Sequence, residues 1–289
     1  MSILANKIDF AVIVSVKNAN PNGDPLNGNR PRETYDGYGE ISDVCIKRKI
    51  RNRLMDMGQP VFVQSDDKRA DNFKSLKERA DSVEELKAAE KAKDSEAYAK
   101  TACEKWIDVR SFGQVFAFKG SNVSIGVRGP VSVHPAFSVL PVDISSIQIT
   151  KSVNSVTGDK KSSDTMGMKH TVPFGVYVFY GSINCQLAEK TGFTEEDAER
   201  IHEALKTLFE NDASSARPDG SMEVCMVYWW KHDGKTGRLS SAKVHRSLHV
   251  ELKEGRKLPN GSLPVRVSDY FEIRTDPLDG LNPDVYDGI

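Results

Sequence analysis

"IDFAVIVSV", Ile8 to Val16, decides how the rest of the chain is read. β-Branched side chains are stiff at χ1 and pack well on a pleated surface, so the run reads as a strand. Its alternate positions are apolar on both sides, which predicts a strand buried on both faces and central in its sheet.

Directly after it comes "NANPNGDPLNGNRPR", Asn18 to Arg32, with five Asn, three Pro and two Gly. This composition predicts neither helix nor strand, and the stretch is too long and polar for a simple turn. One reading is a cluster of Asn, Pro and Gly turns holding no ligand. The other is a ligand holder. The amides of Asn20, Asn22, Asn27 and Asn29 donate without charge, and Gly23 and Gly28 permit positive φ and close backbone approach. Arg30 and Arg32 supply forked donors suited to phosphate oxygens.

Next, "ISDVCIKRKIRNRLMDMG" predicts an amphipathic helix with Ser42 or Asp43 at its N-cap and Gly58 as its stop. Val44, Ile46, Ile50 and Leu54 form the apolar stripe. Lys47, Arg48, Lys49, Arg51 and Arg53 form a cationic face, of which Lys47, Arg48 and Arg51 fall within one turn and could follow a phosphate backbone. The plain alternative is a basic surface helix.

"VFVQ", residues 61–64, predicts a short strand. Residues 66–105, with ten Lys/Arg and eleven Asp/Glu, read as a charge-laced, solvated helical excursion with little to bury. "SNVSIGVRGPVSVHPAFSVLPVDISSIQIT" predicts short strands, and Arg128 within it is a candidate backbone contact. "DKKSSDTMGMKH" sets Met166 and Met168 among Lys160, Lys161, Lys169 and His170. Methionine in a polar loop suggests an apolar wedge between unstacked bases, or equally a loop folded back on a neighbouring subdomain. "TVPFGVYVFYGSINC" predicts a strand. "TEEDAERIHEALKTLFEN" predicts a helix capped by Thr194, with Ala198, Ile201, Leu205 and Leu208 as its stripe. "SMEVCMVYWW", "SSAKVHRSLHVEL" and "PVRVSDYFEIR" predict further strands. Without its insertions the order is β, α, β, a β-rich excursion, β, α, β. That suits an α+β fold built on a split βαβ, ferredoxin-like (RRM-like) sheet.

The 289 residues carry a net charge of −1, so nothing global announces a polyanion partner. The charge is sorted along the chain, however. Residues 17–53 hold eight Lys/Arg against five acids, 231–257 hold eight against three, and 269–287 hold six acids and one Arg. The four cysteines are far apart with no C-x-x-C, which argues against a zinc site or a secreted disulfide framework. No run approaches the length of a membrane span, and no cleavage site follows the apolar N-terminal stretch, so a reduced, cytoplasmic protein is expected. Asp24, Asp43, His134, His170, His232, His245 and His249 are candidate acids and bases, but no spacing demands catalysis. H-E-x-x-H, P-loop and G-x-S-x-G motifs are all missing. His245 and His249 would share one face of a strand, and Asp24, beside basic residues, is the one position kept as an RNA-cleaving acid.

Three stretches in order, "NPNGDPLNGNRPR", "RSFGQVF…SIGVRGPVSVHPAFS" and "DTMGMKHTVPFGVYVFYG", resemble the CRISPR-associated "Cas seven" backbone subunits of type I Cascade, closest to the I-C form, within the RAMP superfamily. The resemblance runs from Ile8 to about Val250. It implies a hand-shaped protein. An RRM-like palm would come from 1–65 and 173–289, a finger-like insertion from 66–150, and a β-hairpin thumb from 151–172. It implies stacking of copies along a CRISPR RNA whose guide bases pair with target DNA, in company with other Cascade subunits. Metal and cofactor are not implied. Type I members are not nucleases, whereas related type III subunits cut RNA with a loop aspartate. A metal-dependent endoribonuclease and a stand-alone RRM-like RNA-binding protein are the alternatives.

Overall fold

The computed structural model describes residues 2–121, 123–153, 157, 166–259 and 265–288. The first run forms β1 (Ile8–Ala19), as expected, with buried side chains on both faces. The loop after it is not irregular throughout. It holds a miniature ladder of β2 (Gly23–Asp24) and β3 (Arg30–Pro31) around one 3₁₀ turn, Pro25–Asn27. Strand β4 (Tyr38–Ile41) leads into α1 (Asp43–Asp56), whose N-cap Ser42 hydroxyl accepts from the Cys45 N–H. Ile46, Ile50 and Leu54 are buried as the stripe predicts, but Val44 is 67% exposed because it falls outside the arc facing the sheet.

The insertion follows, with α2 (Leu76–Asp81), α3 (Glu84–Ala92), α4 (Ser95–Lys105) and α5 (Ile107–Phe112), then the ribbon of β5 (Gly113–Ala117) and β6 (Ser124–Arg128). Strands β7 (Val131–Val133), β8 (Ala136–Pro141) and β9 (Ser145–Thr150) precede β10 (Met166–Ile183), an 18-residue strand. After it come α6 (Cys185–Thr191), α7 (Glu195–Lys206) and β11 (Met222–Lys231). The chain ends with α8 (Ser241–Arg246), β12 (Leu248–Leu252), α9 (Val267–Tyr270), β13 (Phe271–Thr275) and β14 (Asp284–Asp287).

The large sheet is antiparallel throughout and runs β14-β11-β1-β10-β8-β4, with β7 and β9 also pairing to β10. Strand β1 therefore lies between β10 and β11, the central place its two apolar faces predicted. On one face Phe10, Val12, Val14 and Val16 pack under Ile46, Ile50 and Leu54 of α1 and Ala198, Ile201 and Leu205 of α7. On the other, Ala11, Ile13, Val176 and Trp230 pack against Val244, Leu248 and Phe271. Helix α7 opens with a capping box in which Thr194 and Asp197 bond each other's backbone N–H.

Three sequence readings are overturned. Residues 66–105 do have something to bury: Leu86, Tyr98, Ala102 and Cys103 form a separate core with Phe62, Trp106, Val109 and Phe116. Residues 61–64 make no strand. The Phe62 and Val63 N–H groups donate to the Asp108 carboxylate at 2.7 and 3.0 Å, so a side chain takes the place of a partner strand. "SSAKVHRSLHVEL" is helix α8 followed by β12, because Val244 and Leu248, four residues apart, both face the core. His245 and His249 consequently do not share a sheet face.

Asp108, 1% exposed, also accepts from Arg51 Nε of α1 at 3.1 Å. Asp108→Ala leaves two N–H groups and a guanidinium without their acceptor, so unfolding in urea is expected to show a loss of about 3–5 kcal/mol. A second tie joins Arg110 of α5 to Asp197 of α7 at 2.8 Å. Burial alone would raise the Asp197 pKa, but Arg110 and the Thr194 bonds outweigh it and hold the carboxyl below its usual range. A depressed folded pKa means the stabilisation is full above the unfolded carboxylate range and is lost as pH falls through the folded value. The stability gap between the wild type and Asp197→Asn should therefore be widest near neutrality and shrink below about pH 4, measured by thermal melts across pH.

Candidate functional site

The loop after β1 is held from both ends. The Asn20 backbone N–H donates to Ala216 O at 2.9 Å, and Arg32 N–H donates to Asn22 O at 2.9 Å. Asn22 Oδ1 accepts from both the N–H and the hydroxyl of Ser42, at 2.9 and 2.8 Å, which fastens the loop to the cap of α1. Gly23 is required by close approach, since a Cβ there would run into the Asn29 side chain. Gly28 and Asn29 adopt φ of 58° and 59°, the left-handed region that Gly and Asn tolerate. Asp24 is engaged locally: its Oδ1 accepts from Leu26 N–H at 3.1 Å and lies 3.6 Å from Arg32.

Strands β9 and β10 form a two-stranded arm in register Met166↔Thr150 through Thr171↔Ser145. Paired residues share a face, and faces alternate. Met166 and Met168 therefore lie on one side with His170 and Ser146, and Ile147, Ile149 and Lys169 on the other. All four apolar side chains are exposed. Loop and arm meet where Arg30 donates to Ser146 Oγ at 3.2 Å, itself 2.8 Å from His170 Nδ1. Beside this contact is a cleft of about 400 Å³ lined by Asn20, Gly28, Asn29, Ile149, Met168, Lys169 and His170, closed by Ser215 and Ala216. No acid lines it.

The site residues predicted from sequence are thus partly brought together. Asn20, Asn29, Met168, Lys169 and His170 share the cleft, with Arg30 at its edge. Gly23 is built into the frame of the loop and Asn27 stands exposed upon it. Arg128 is exposed on β6, in the insertion, away from the cleft. Lys160 and Lys161 lie outside the described residues. Ser215 and Ala216 were missed, since "ASSA" after α7 reads as an ordinary loop and its proximity to Asn20 is a tertiary fact.

The cationic face of α1 is largely occupied internally. Lys47 meets Asp43 at 3.0 Å, Arg48 meets Asp67 at 3.6 Å, and Arg51 meets Asp108. Arg53 bonds Asp56 and Glu210 at 3.1 Å each. Lys49, 4% exposed, is paired with Asp212; burial pushes its pKa down and the Asp212 charge opposes the push. Arg48 and Lys49 border a second cleft with Lys68 and Arg217, separated from the first by residues 213–216.

Three of the candidate bases, His232, His245 and His249, are hydrogen-bonded within the protein. His232 Nδ1 accepts from Arg238 N–H at 3.2 Å, so its Nε2–H donates to buried Asp9 at 2.8 Å. His245 Nε2 lies 3.1 Å from Gly181 O, and His249 Nε2 lies 2.8 Å from Asp276. The cysteines are all free, and burial pushes the Cys103 and Cys225 thiols up to about 11. Among the described residues no group of three or more His, Cys, Asp or Glu is arranged to hold a metal ion, and no helix is long and apolar enough to cross a membrane. Because Asn22 couples the loop to α1, Asn22→Ala should cost about 1–3 kcal/mol in urea unfolding, by leaving the Ser42 donors unmet.

The sequence profile of the family described as CRISPR-associated protein Cas7 matches residues 6–276. A curated protein described as CRISPR-associated protein Cas7, from Haloferax volcanii, is 27% identical over 229 residues, 73% of this chain and 66% of the relative. The chain thus aligns with just under two thirds of that relative's length. A chain of a solved CRISPR RNA-guided surveillance complex, pre-nicking, shares the fold with a TM-score of 0.52 at 16% identity, over 87% of this chain and 84% of that one. The profile spans nearly the whole chain and names the family that the three ordered motifs resemble: the chain belongs to the CRISPR-associated Cas7 family.

Proposed function

We propose that the protein is a CRISPR RNA-binding backbone subunit of a type I-C Cascade complex. Copies lie side by side along the guide, with other Cascade subunits, and present its bases for pairing with target DNA in the cytoplasm. The observation that carries this reading is the acid-free cleft between the Asn/Gly/Arg loop and the β9–β10 arm. It offers lysine, imidazole and amide groups to a sugar–phosphate chain, and exposed methionines beside them. Family membership and the shared fold of the surveillance-complex chain support it.

In this reading the central strands β11-β1-β10-β8, with α1 and α7 on one face, are an RRM-like palm, since that order is the one a split βαβ unit produces. The palm draws on 1–65 and 173–289. The finger-like insertion is taken from 66–150, less β7 and β8, which join the palm sheet. The thumb is taken from 151–172, of which 154–156 and 158–165 lie outside the described residues and 166–172 belong to β10. The role is non-catalytic. Asp24 caps a turn and neighbours Arg32, and the site works by holding a backbone in pairing-ready geometry while base pairing reads sequence.

Binding should fall steeply with salt and be indifferent to spacer sequence. Arg30→Ala combined with Arg32→Ala should weaken binding to every guide alike and lower the slope of log K against log salt by about one to two units. Filter binding with several spacers from low to moderate salt checks this, and a spacer-dependent loss would show that the loop reads bases. Incubation of labelled guide and complementary RNA with and without divalent metal tests the non-catalytic role. Metal-dependent cleavage abolished by Asp24→Ala would identify an endoribonuclease instead, and failure to form regular multimers on RNA in electron micrographs would identify a stand-alone binder.

A further inference from the structure

Asn20 is 3% exposed, yet its side chain is only half satisfied. Its Nδ2 donates to Asn29 O at 2.6 Å. That bond fixes which end of the amide is which, because a carbonyl oxygen accepts only from the nitrogen end. Oδ1 is therefore the free end, and it has no hydrogen-bond partner. Buried acceptors rarely stay unmet in native proteins, so this one calls for a donor from outside the chain. Asn20 lines the cleft with Lys169 and His170; its backbone N–H is given to Ala216 O and one of its two amide hydrogens to Asn29 O.

The identity of that donor is constrained by chemistry. A phosphodiester carries acceptors alone and cannot serve Oδ1. A nucleobase N–H could serve it, but its position changes from base to base, which conflicts with a site indifferent to sequence. The ribose 2′-hydroxyl is a donor present on every ribonucleotide and small enough to reach a nearly covered oxygen, and it is the group by which a protein tells RNA from DNA. We infer that Asn20 Oδ1 accepts a hydrogen bond from a ribose 2′-hydroxyl of the bound strand, making the cleft selective for RNA over DNA. This rests on the guide-binding reading above and adds the group that sets sugar specificity.

The test compares one guide sequence in three forms, all-ribose, 2′-fluoro and 2′-deoxy, binding to the full-length protein at fixed salt. The 2′-fluoro sugar keeps the ribose-like pucker and cannot donate, so it isolates the hydrogen bond from strand shape. Wild-type protein is expected to bind the 2′-fluoro guide at least about fivefold more weakly than RNA, the effect of one hydrogen bond. Asn20→Leu is expected to bind both about equally, with salt dependence retained. Equal wild-type binding of RNA and 2′-fluoro guides would overturn the inference while leaving guide binding intact. Loss confined to particular spacers would overturn it in favour of a base donor. Absence of any RNA binding by the wild type would remove the functional reading itself. Should Asn20→Leu fail to give a cooperative thermal melt, single 2′-fluoro substitutions scanned along an RNA guide on wild-type protein decide. Losses recurring at a regular spacing support the contact, and no loss at any position refutes it.

Discussion

The carboxylate of Asp108 is where the hydrophobic core of the insertion is joined to the core between the large sheet and its helices α1 and α7. Lying on α5 of the insertion, it accepts from the backbone N–H groups of Phe62 and Val63, which lead into the insertion, and from Arg51 of α1, whose opposite side packs on the large sheet. A buried carboxylate with three donors is a directional joint, unlike apolar contact, which tolerates sliding. The Arg110–Asp197 pair adds a second joint to α7, so the insertion is pinned to both helices that cover the sheet. Rotation of one core relative to the other would have to break charged hydrogen bonds inside the protein. The orientation of anything carried on the insertion, including Arg128 on β6, is therefore set by these two carboxylates.

These joints also change how the basic helix is understood. Five cations in seven positions read from sequence as a solvent-facing or phosphate-facing stripe. Lys47 and Arg53 also meet acids of their own helix, but the acids of Lys49 and Arg51 come from elsewhere: Arg51 meets a residue 57 positions away, and Lys49 meets one 163 positions away. Much of the helix's charge serves cohesion. Under the proposed function, recognition of the guide draws on the loop and the arm, where amides, imidazole and lysine line a cleft without acids.

What was legible in the sequence was what periodicity encodes. The double-faced apolar pattern of β1 gave its central place, and the stripe Ala198, Ile201, Leu205, Leu208 gave the buried side of α7. The core of the insertion was not legible, because short helices α2 to α4 bury one to three apolar residues each and several of these are alanines. Against so many charges such sparse positions leave no visible stripe, although Trp106, Tyr98 and Phe116 supply most of the volume. Helix α8 was missed because six residues cannot establish a helical period. For the site, the residue types of the loop were legible, but their partners were not. Arg30 reaches Ser146 across 116 positions, and Asn20 gives an amide hydrogen to Asn29 O in its own loop and its backbone N–H to Ala216 O.

The arm poses a physical problem that its sequence makes plain in retrospect. A two-stranded ribbon is marginal by itself in water, and this one exposes apolar side chains on both faces, Met166 and Met168 on one and Ile147 and Ile149 on the other. Its anchorage comes from β10, which continues unbroken into the centre of the large sheet, and from the Arg30–Ser146 bond at its root. A strand shared between a buried sheet and an exposed arm fixes the direction in which the arm leaves the body, and leaves its faces free. Exposed apolar surface on both sides of one ribbon is what an element needs if it is to be inserted between two things at once. Under the proposed function those are unstacked bases and a neighbouring copy. The loop beneath, tied to the same strand, then registers each insertion against the sugar–phosphate chain in the cleft.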